Sequence, residues 1–250
     1  MTKILLCGAC GKMGGNVLSL LAEDTEATVV CGVDLYPKEI GVPVYQSFAS
    51  VTEDVDVIID FSSPVGLQER LDFAKERKAG IVLASTGFTA DDLALIQSYE
   101  SEIAIFRTAN LSLGINLMQA LVKAAAQVLG DNFDVEIIEK HHNLKKDAPS
   151  GTALMLADSV NEAFDGEKEY VYGREGIVGA RRKKEVGIHA VRGGTIVGEH
   201  DVIFAGEDEV ITISHSAASK RVFAVGAIRA AKWLTGKAAG RYEMKHLLAE

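Results

Sequence analysis

Cysteine is scarce, with only Cys7, Cys10 and Cys31 in 250 residues. So small and odd a number leaves no disulfide framework and points to a reducing compartment. Cys7 and Cys10 stand at C-x-x-C spacing, but no second pair completes a zinc set and no thioredoxin-type helix start follows. The expectation is therefore that Cys7 lies in a strand core and Cys10 is a small loop residue. H-x-x-x-H and H-E-x-x-H are also missing, so no metal site is expected. No stretch offers the ~18 consecutive apolar residues of a membrane span. The opening MTKILLCGAC reads as a strand, without the apolar core and cleavage site of a signal peptide. A cytoplasmic protein is expected. Positive charge is in deficit, 26 basic residues against 35 acidic, for a net charge of −9. That balance disfavours general nucleic-acid or membrane-surface binding, and no basic helix suggests a DNA reader. It leaves room for a local basic pocket that takes a small anion. Internal repeats and low-complexity segments are absent as well.

What is present is an ordinary globular composition, 48% apolar and 24% charged. Residues 3–8 are a short apolar run ending in glycine, 12–22 are helix-like, and 28–34 form a second apolar run ending in Asp34. Strand, glycine turn, helix and strand within ~30 residues make a βαβ unit. The alternation continues with strands at 55–61, 80–85 and 103–106 and helices at 65–78 and 89–100. The spacing predicts an α/β, Rossmann-type doubly wound parallel sheet, whose ligand crevice lies at the carboxyl ends of the strands. From about Leu113 the texture changes. An amphipathic helix (115–129) leads to a strand (133–139), a polar loop and a helix (152–164), then strand-like stretches near 186–192, 195–205 and 209–215. These predict a smaller α+β second domain with a largely antiparallel or mixed sheet. The apolar helix 221–235 needs a partner and is expected to pack back on the first domain. The expected domains are thus 1–112 with 222–250, the Rossmann-type unit, and 113–221, the α+β unit.

Gly8-Ala9-Cys10-Gly11-Lys12-Met13-Gly14 reads G-x-x-G-x-x-G rather than G-x-G-x-x-G. Its context strengthens it: a strand precedes, a helix follows, and Asp34 stands 20 residues after Gly14, about the spacing of a ribose-binding acid. Small residues let backbone N–H groups approach a pyrophosphate at a helix start. The Asp34 carboxylate accepts ribose hydroxyls and repels a 2′-phosphate, an effect Lys38 can offset. NADH is favoured as cofactor and NADPH stays open.

A second chemical signal is the run Glu139-Lys140-His141-His142-Asn143-Leu144-Lys145-Lys146-Asp147-Ala148-Pro149-Ser150-Gly151-Thr152-Ala153. Imidazole titrates near neutrality and suits proton transfer. A neighbouring lysine acts as an acid or binds a carboxylate. Ser150-Gly151-Thr152 open a helix after Pro149, and such a start is a site for a carboxylate. The combination suits a small dicarboxylate. On spacing alone, a solvated charged loop with an ordinary serine cap is an equal alternative.

Together, the glycine loop, Asp60-Phe61-Ser62-Ser63-Pro64, Ser85-Thr86-Gly87-Phe88, Ala109-Asn110-Leu111-Ser112-Leu113-Gly114, the His-His segment through Gly151-Thr152-Ala153, Gly187 to Gly194 and Val197-Gly198-Glu199-His200 resemble the 4-hydroxy-tetrahydrodipicolinate reductase (dihydrodipicolinate reductase) family. The resemblance spans nearly the whole chain. It implies reduction of a cyclic imine-type dicarboxylate, with loss of water, in lysine and diaminopimelate biosynthesis. By position it makes His141 and Lys145 catalytic, and His142, Ser150, Gly151 and Thr152 substrate contacts. Cofactor contacts fall on Gly8, Ala9, Cys10, Gly11, Lys12, Met13, Asp34, Ala84, Ser85, Thr86, Thr108, Ala109, Asn110 and Leu111. It also implies a homotetramer joined through the second domain's sheets. Two departures bear on the cofactor: Leu35, not arginine, follows Asp34, and Ala84, not glycine, opens the third cofactor loop. The remaining alternatives are another Rossmann oxidoreductase acting on an aspartate-like or dicarboxylate substrate, and a dinucleotide sensor without catalysis. The absence of Tyr-x-x-x-Lys argues against a short-chain dehydrogenase.

Overall fold

The uninterrupted apolar runs of the first half become strands covered on both faces, which is why they do not alternate. Strands β1 (Thr2–Cys7), β4 (Val57–Asp60), β5 (Gly80–Leu83) and β6 (Ala104–Arg107) are almost wholly buried. With β2 (Ala27–Val33), β3 (Val44–Tyr45) and β12 (Gly240–Tyr242) they form a seven-stranded parallel sheet in the order β12-β6-β5-β4-β1-β2-β3. The doubly wound fold predicted by the alternation is therefore present. Helices α1 (Lys12–Leu21), α2 (Leu67–Arg77) and α3 (Ala90–Tyr99) are the crossovers. Side chains from α2 and α3, among them Leu67, Leu71, Phe73 and Ile96, close one face over Leu5, Ile58, Ile81 and Ile105. On α6 (Arg221–Leu234), Ala224, Gly226, Ala227, Ala230 and Ala231 are buried, and the helix packs on α1, β4 and β5. Small residues permit that close approach. A short α7 (Met244–Leu248) follows β12.

The computed structural model describes residues 1–250 as two compact units, Met1–Ser112 with Arg221–Glu250, and Leu113–Lys220. The second unit carries α4 (Leu113–Leu129), β7 (Asp134–His141), α5 (Gly151–Asn161), β8 (Glu169–Tyr172), β9 (Glu185–Arg192), β10 (Glu199–Ala205) and β11 (Val210–Ser216). The strand order is β11-β10-β7-β9-β8. β10 runs antiparallel to β7 and β11, while β9 runs parallel to β7 and β8, so the predicted mixed sheet is present. Its inner face packs Val135, Ile137, Val186, Ile188, Val202 and Phe204 against Ile115, Met118 and Val122 of α4 and Leu156 and Val160 of α5.

Several boundaries differ from those expected. β7 does not stop at Glu139 but continues in strict alternation, Lys140 outward and His141 inward. The first histidine therefore ends a strand rather than lying in a polar loop. The strand expected from 195 begins at Glu199. Segment 113–132, α4 with its following turn, is apolar enough by length and composition to cross a bilayer, with a mean hydropathy of 1.2 in an 18-residue window. Polar side chains interrupt it, and Ile115, Met118, Val122 and Ala126 lie in the core of the second unit.

Candidate active site

In the first unit the glycine loop joins β1 to α1. Gly8 adopts φ +72°, a conformation disfavoured for side-chain-bearing residues. A Cβ on Gly14 would stand 2.2 Å from the Ala9 carbonyl oxygen, so this glycine lets the helix press on the loop. Asp34, just past β2, accepts the Cys10 amide at 3.0 Å and the Tyr36 amide at 3.0 Å. The sequence spacing thus becomes a direct contact between the acid and the loop. Gly8, Asp34, Leu35, Tyr36, Gln46, Phe61, Ser62, Ser63, Glu69 and Arg70 help line a cavity of about 540 Å³. Arg70 is committed elsewhere: its Nε sits 3.0 Å from buried Asp60, and its Nη atoms donate to the Ser63 and Val65 carbonyls.

Ala9 is buried behind the loop, while Gly11, Lys12 and Met13 begin the helix turn, with Lys12 exposed. Ala84, Ser85 and Thr86 follow β5, and Thr108, Ala109, Asn110 and Leu111 follow β6. Both segments stand at carboxyl ends of the sheet but do not line this cavity. The Ala84 amide donates to the Asp60 carbonyl. Leu111 is held tightly, since a Cβ on Gly226 would fall 1.8 Å from its carbonyl oxygen. Cys7 is a buried strand residue whose thiol is pushed well up by burial, with Asp60 adding to the shift, and Cys10 is a half-buried loop residue.

In the second unit the chemistry gathers on the inner sheet face at the end of β7. Glu139 is 0% exposed, and residues two apart on a strand share a face, so His141 lies beside it with Nδ1 2.6 Å from Glu139 Oε2. Arg192, paired with His141 in the β7–β9 register, donates to both Glu139 oxygens at 2.7 Å. The Ser150 amide adds 2.9 Å to Oε1. Burial alone would raise the Glu139 carboxyl, but Arg192, His141 and Ser150 outweigh it and hold it below the ordinary range.

Beyond His141 the chain turns at once. The Lys145 amide bonds the His142 carbonyl at 3.2 Å, so 142–145 is a β-turn. The Gly193 and Gly194 segment pins it: Gly193 donates to the His141 carbonyl, and Asn143 donates to the Gly194 carbonyl. Lys145 returns towards the strand end with its ammonium 2.8 Å from Asp147. His142 is half-buried. Ser150 caps α5, its hydroxyl accepting the Ala153 amide at 3.1 Å. It also meets His200 Nε2 at 3.1 Å. Ser150 is therefore buried and engaged inside the protein, leaving exposed Gly151 and half-buried Thr152 at the helix start.

The sequence pattern assigns no role to Glu139, Arg192, Gly198, His200 or His215, although all but His215 fall in motifs that carry the resemblance. The His200 ring meets His141 edge-on, with centroids 5.2 Å apart. Burial, then the charge of His141, pushes the His200 imidazole down to about 4. His215, opposite His200 in the β10–β11 register, is also lowered by burial.

Two family models match the chain: dihydrodipicolinate reductase, N-terminus, over residues 2–111, and dihydrodipicolinate reductase, C-terminus, over 114–248. The 4-hydroxy-tetrahydrodipicolinate reductase of Caldanaerobacter subterraneus subsp. tengcongensis is 51% identical over 248 residues, covering 99% of this chain and 98% of the relative. That of Clostridium botulinum is 45% identical over 234 residues, covering 94% and 92%. Among solved structures, the dipicolinate-bound dihydrodipicolinate reductase of Paenisporosarcina sp. TG-14 superposes with a TM-score of 0.78 at 25% identity, covering 97% of each chain.

Proposed function

Because this chain belongs to the dihydrodipicolinate reductase family, a family of NAD(P)H-dependent oxidoreductases, we propose that it reduces 4-hydroxy-tetrahydrodipicolinate to tetrahydrodipicolinate in lysine and diaminopimelate biosynthesis. The observation that carries the reading is the His141–Thr152 segment. It holds a strand-end histidine, a lysine folded back by a β-turn and an exposed helix start.

The glycine loop and the Asp34-lined cavity fit a dinucleotide. Gly14 has no room for a Cβ, and Asp34 ties the loop to the crevice. Gly8 to Met13 would hold the pyrophosphate, Asp34 the ribose, and Ala84, Ser85, Thr86 and Thr108 to Leu111 the nicotinamide half. When bound, the nicotinamide supplies the hydride. NADH is the favoured form. Asp34 and Glu69 both line the cavity, and its one cation, Arg70, is occupied by Asp60 and two carbonyls. A 2′-phosphate would meet carboxylates without a free guanidinium.

The substrate's carboxylates lie at the Gly151 and Thr152 start of α5 and beside His142, where helix N–H groups and positive charge favour anions. Ser150 stands behind them as the cap. Electron density arriving on the conjugated imine must be met by a proton. Lys145 offers a proton at Nζ and His141 exchanges one at Nε2 for that purpose, and general acid catalysis of this kind contributes ~10²–10⁴ in rate. The setting is cytoplasmic. The protein assembles as a homotetramer through the outer face of the mixed sheet, where Val191 and Val210 are exposed. Loss of NADH absorbance with the substrate, formed in situ from pyruvate and aspartate semialdehyde, tests the activity. Light scattering tests the assembly, and a stable active monomer would defeat it.

A further inference from the structure

We propose that Glu139 is the positioning residue for His141, fixing its imidazole in the tautomer with hydrogen on Nδ1 and a bare Nε2, and that Arg192 holds Glu139 in register. The inference rests on the functional reading above for what His141 does, but its geometry stands independently.

Each Glu139 oxygen faces two donors. Oε1 accepts the Ser150 amide at 2.9 Å and Arg192 Nη2 at 2.7 Å. Oε2 accepts Arg192 Nη1 at 2.7 Å and faces His141 Nδ1 at 2.6 Å. An ionised carboxylate offers acceptors alone, so a bare Nδ1 there would set lone pair against lone pair. Nδ1 must carry the hydrogen, and Nε2 is left as the atom that gains or gives a proton. The chain keeps Nε2 clear: a Cβ on Gly198 would stand 3.1 Å from it, closer than nearly all Cβ contacts. Glycine at 198 therefore leaves that edge of the ring uncovered. On the other side, the His200 ring packs edge-on and its Nε2 is engaged with Ser150, so it does not compete for Glu139. The arrangement repeats the logic of a carboxylate behind a catalytic imidazole, where the carboxylate sets orientation and tautomer without itself moving a proton.

Merely structural service, tying β7, β9 and the start of α5 together, would use the same four contacts. The two roles separate on substitution. In Glu139→Gln one oxygen becomes an amide donor. On the Oε1 side it would face the Ser150 amide and Arg192, neither of which can accept. On the Oε2 side it also meets Arg192 Nη1, which cannot accept, but there it faces His141 Nδ1, which can accept by moving its hydrogen to Nε2. The substitution therefore switches the tautomer.

The test is ¹⁵N NMR of the full-length protein labelled at histidine, well above neutral pH, with the His141 signal assigned by its loss in His141→Gln. The expected result for the wild type is protonated Nδ1 and unprotonated Nε2. A wild-type His141 protonated on Nε2 overturns the proposal, and this measurement does not depend on any Glu139 variant folding. For Glu139→Gln the expected result is the opposite tautomer, with kcat lowered by about 10²-fold or more and NADH affinity unchanged. A kcat within about threefold of wild type, or a large loss of kcat with the tautomer unmoved, also overturns it. A wild-type protein that fails to turn over 4-hydroxy-tetrahydrodipicolinate would defeat the functional reading instead, while the tautomer measurement still decides the role of Glu139.

Discussion

Two adjacent glycines of α1 are expected to respond to alanine in opposite ways. At Gly14 the added Cβ would lie 2.2 Å from the Ala9 carbonyl oxygen, 2.6 Å from its carbon and 2.7 Å from the Gly8 carbonyl oxygen. All three are backbone atoms, so no side chain can swing away. Restoring an ordinary carbon–oxygen contact moves helix and loop apart by about 1 Å, and overpacking on this scale costs ~1–3 kcal/mol. The same displacement stretches loop N–H contacts to a pyrophosphate from about 2.9 Å to beyond hydrogen-bond range. Hydrogen bonds to charged groups contribute ~1.5–3 kcal/mol each, so the loss of one weakens NADH binding by roughly 10- to 100-fold. At Gly15 nothing lies within 4 Å of the added Cβ, and alanine in a helix gains ~0.8–1 kcal/mol over glycine. For a chain of this size that raises the melting temperature by about 2–4 °C. Thermal melting and nicotinamide-fluorescence titration read both quantities. Gly14→Ala with wild-type NADH affinity and melting temperature, or the two variants shifting alike, would refute the reasoning.

Asp34→Ala is expected to weaken NADH more than NADPH, since it removes both the ribose acceptor and the charge that repels a 2′-phosphate. A wild-type protein that strongly prefers NADPH would show that Lys38 outweighs the repulsion. Lys145→Ala should lower turnover by ~10²–10⁴ while NADH affinity, set in the other unit, barely changes; a normal kcat, or a defect confined to NADH binding, removes this segment from catalysis. Acid should destabilise the protein in two stages. The imidazole of His200, lowered to about 4 from 6.5 mainly by burial, binds its proton more readily unfolded. Its contribution is therefore full above about pH 6.5 and is lost as pH falls towards 4, on the order of 3 kcal/mol. The carboxyl of Glu136 is opposed by burial but brought down to about 2 by Arg174, His189 and Arg181, and its contribution is lost below that, from about 4.5 downwards. Urea titrations across this range should show His200→Gln flattening the first stage and sparing the second.

In the first unit the strands most legible in the sequence are those where burial is unbroken. In β1, β4, β5 and β6 both faces are covered, so each reads as a solid apolar run, and the glycine loop and Asp34 sit at spacings that survive into the structure. The short strands β3, β8 and β12, of two to four residues, exist through pairing with a neighbour already in place and carry little pattern of their own. The end of β7 was illegible for a different reason. Its inward positions there are Glu139 and His141, polar residues tolerated because Arg192, 53 positions from Glu139, neutralises the pair. Local periodicity cannot register a partner so distant. The Pro149-Ser150-Gly151-Thr152 helix start was readable because capping is local. The engagement of Ser150 with His200, 50 residues away, was not.

The central claim is that this chain reduces 4-hydroxy-tetrahydrodipicolinate with a nicotinamide cofactor, using the His141–Thr152 segment. The most direct measurement follows absorbance at the nicotinamide band with the purified protein, pyruvate, aspartate semialdehyde and the condensing enzyme, with NADH and NADPH run in parallel. Rapid oxidation dependent on both precursors, at least as fast with NADH as with NADPH, is the predicted result. Binding of NADH without substrate-dependent oxidation of either cofactor would contradict it and leave a dinucleotide-binding protein without this catalysis.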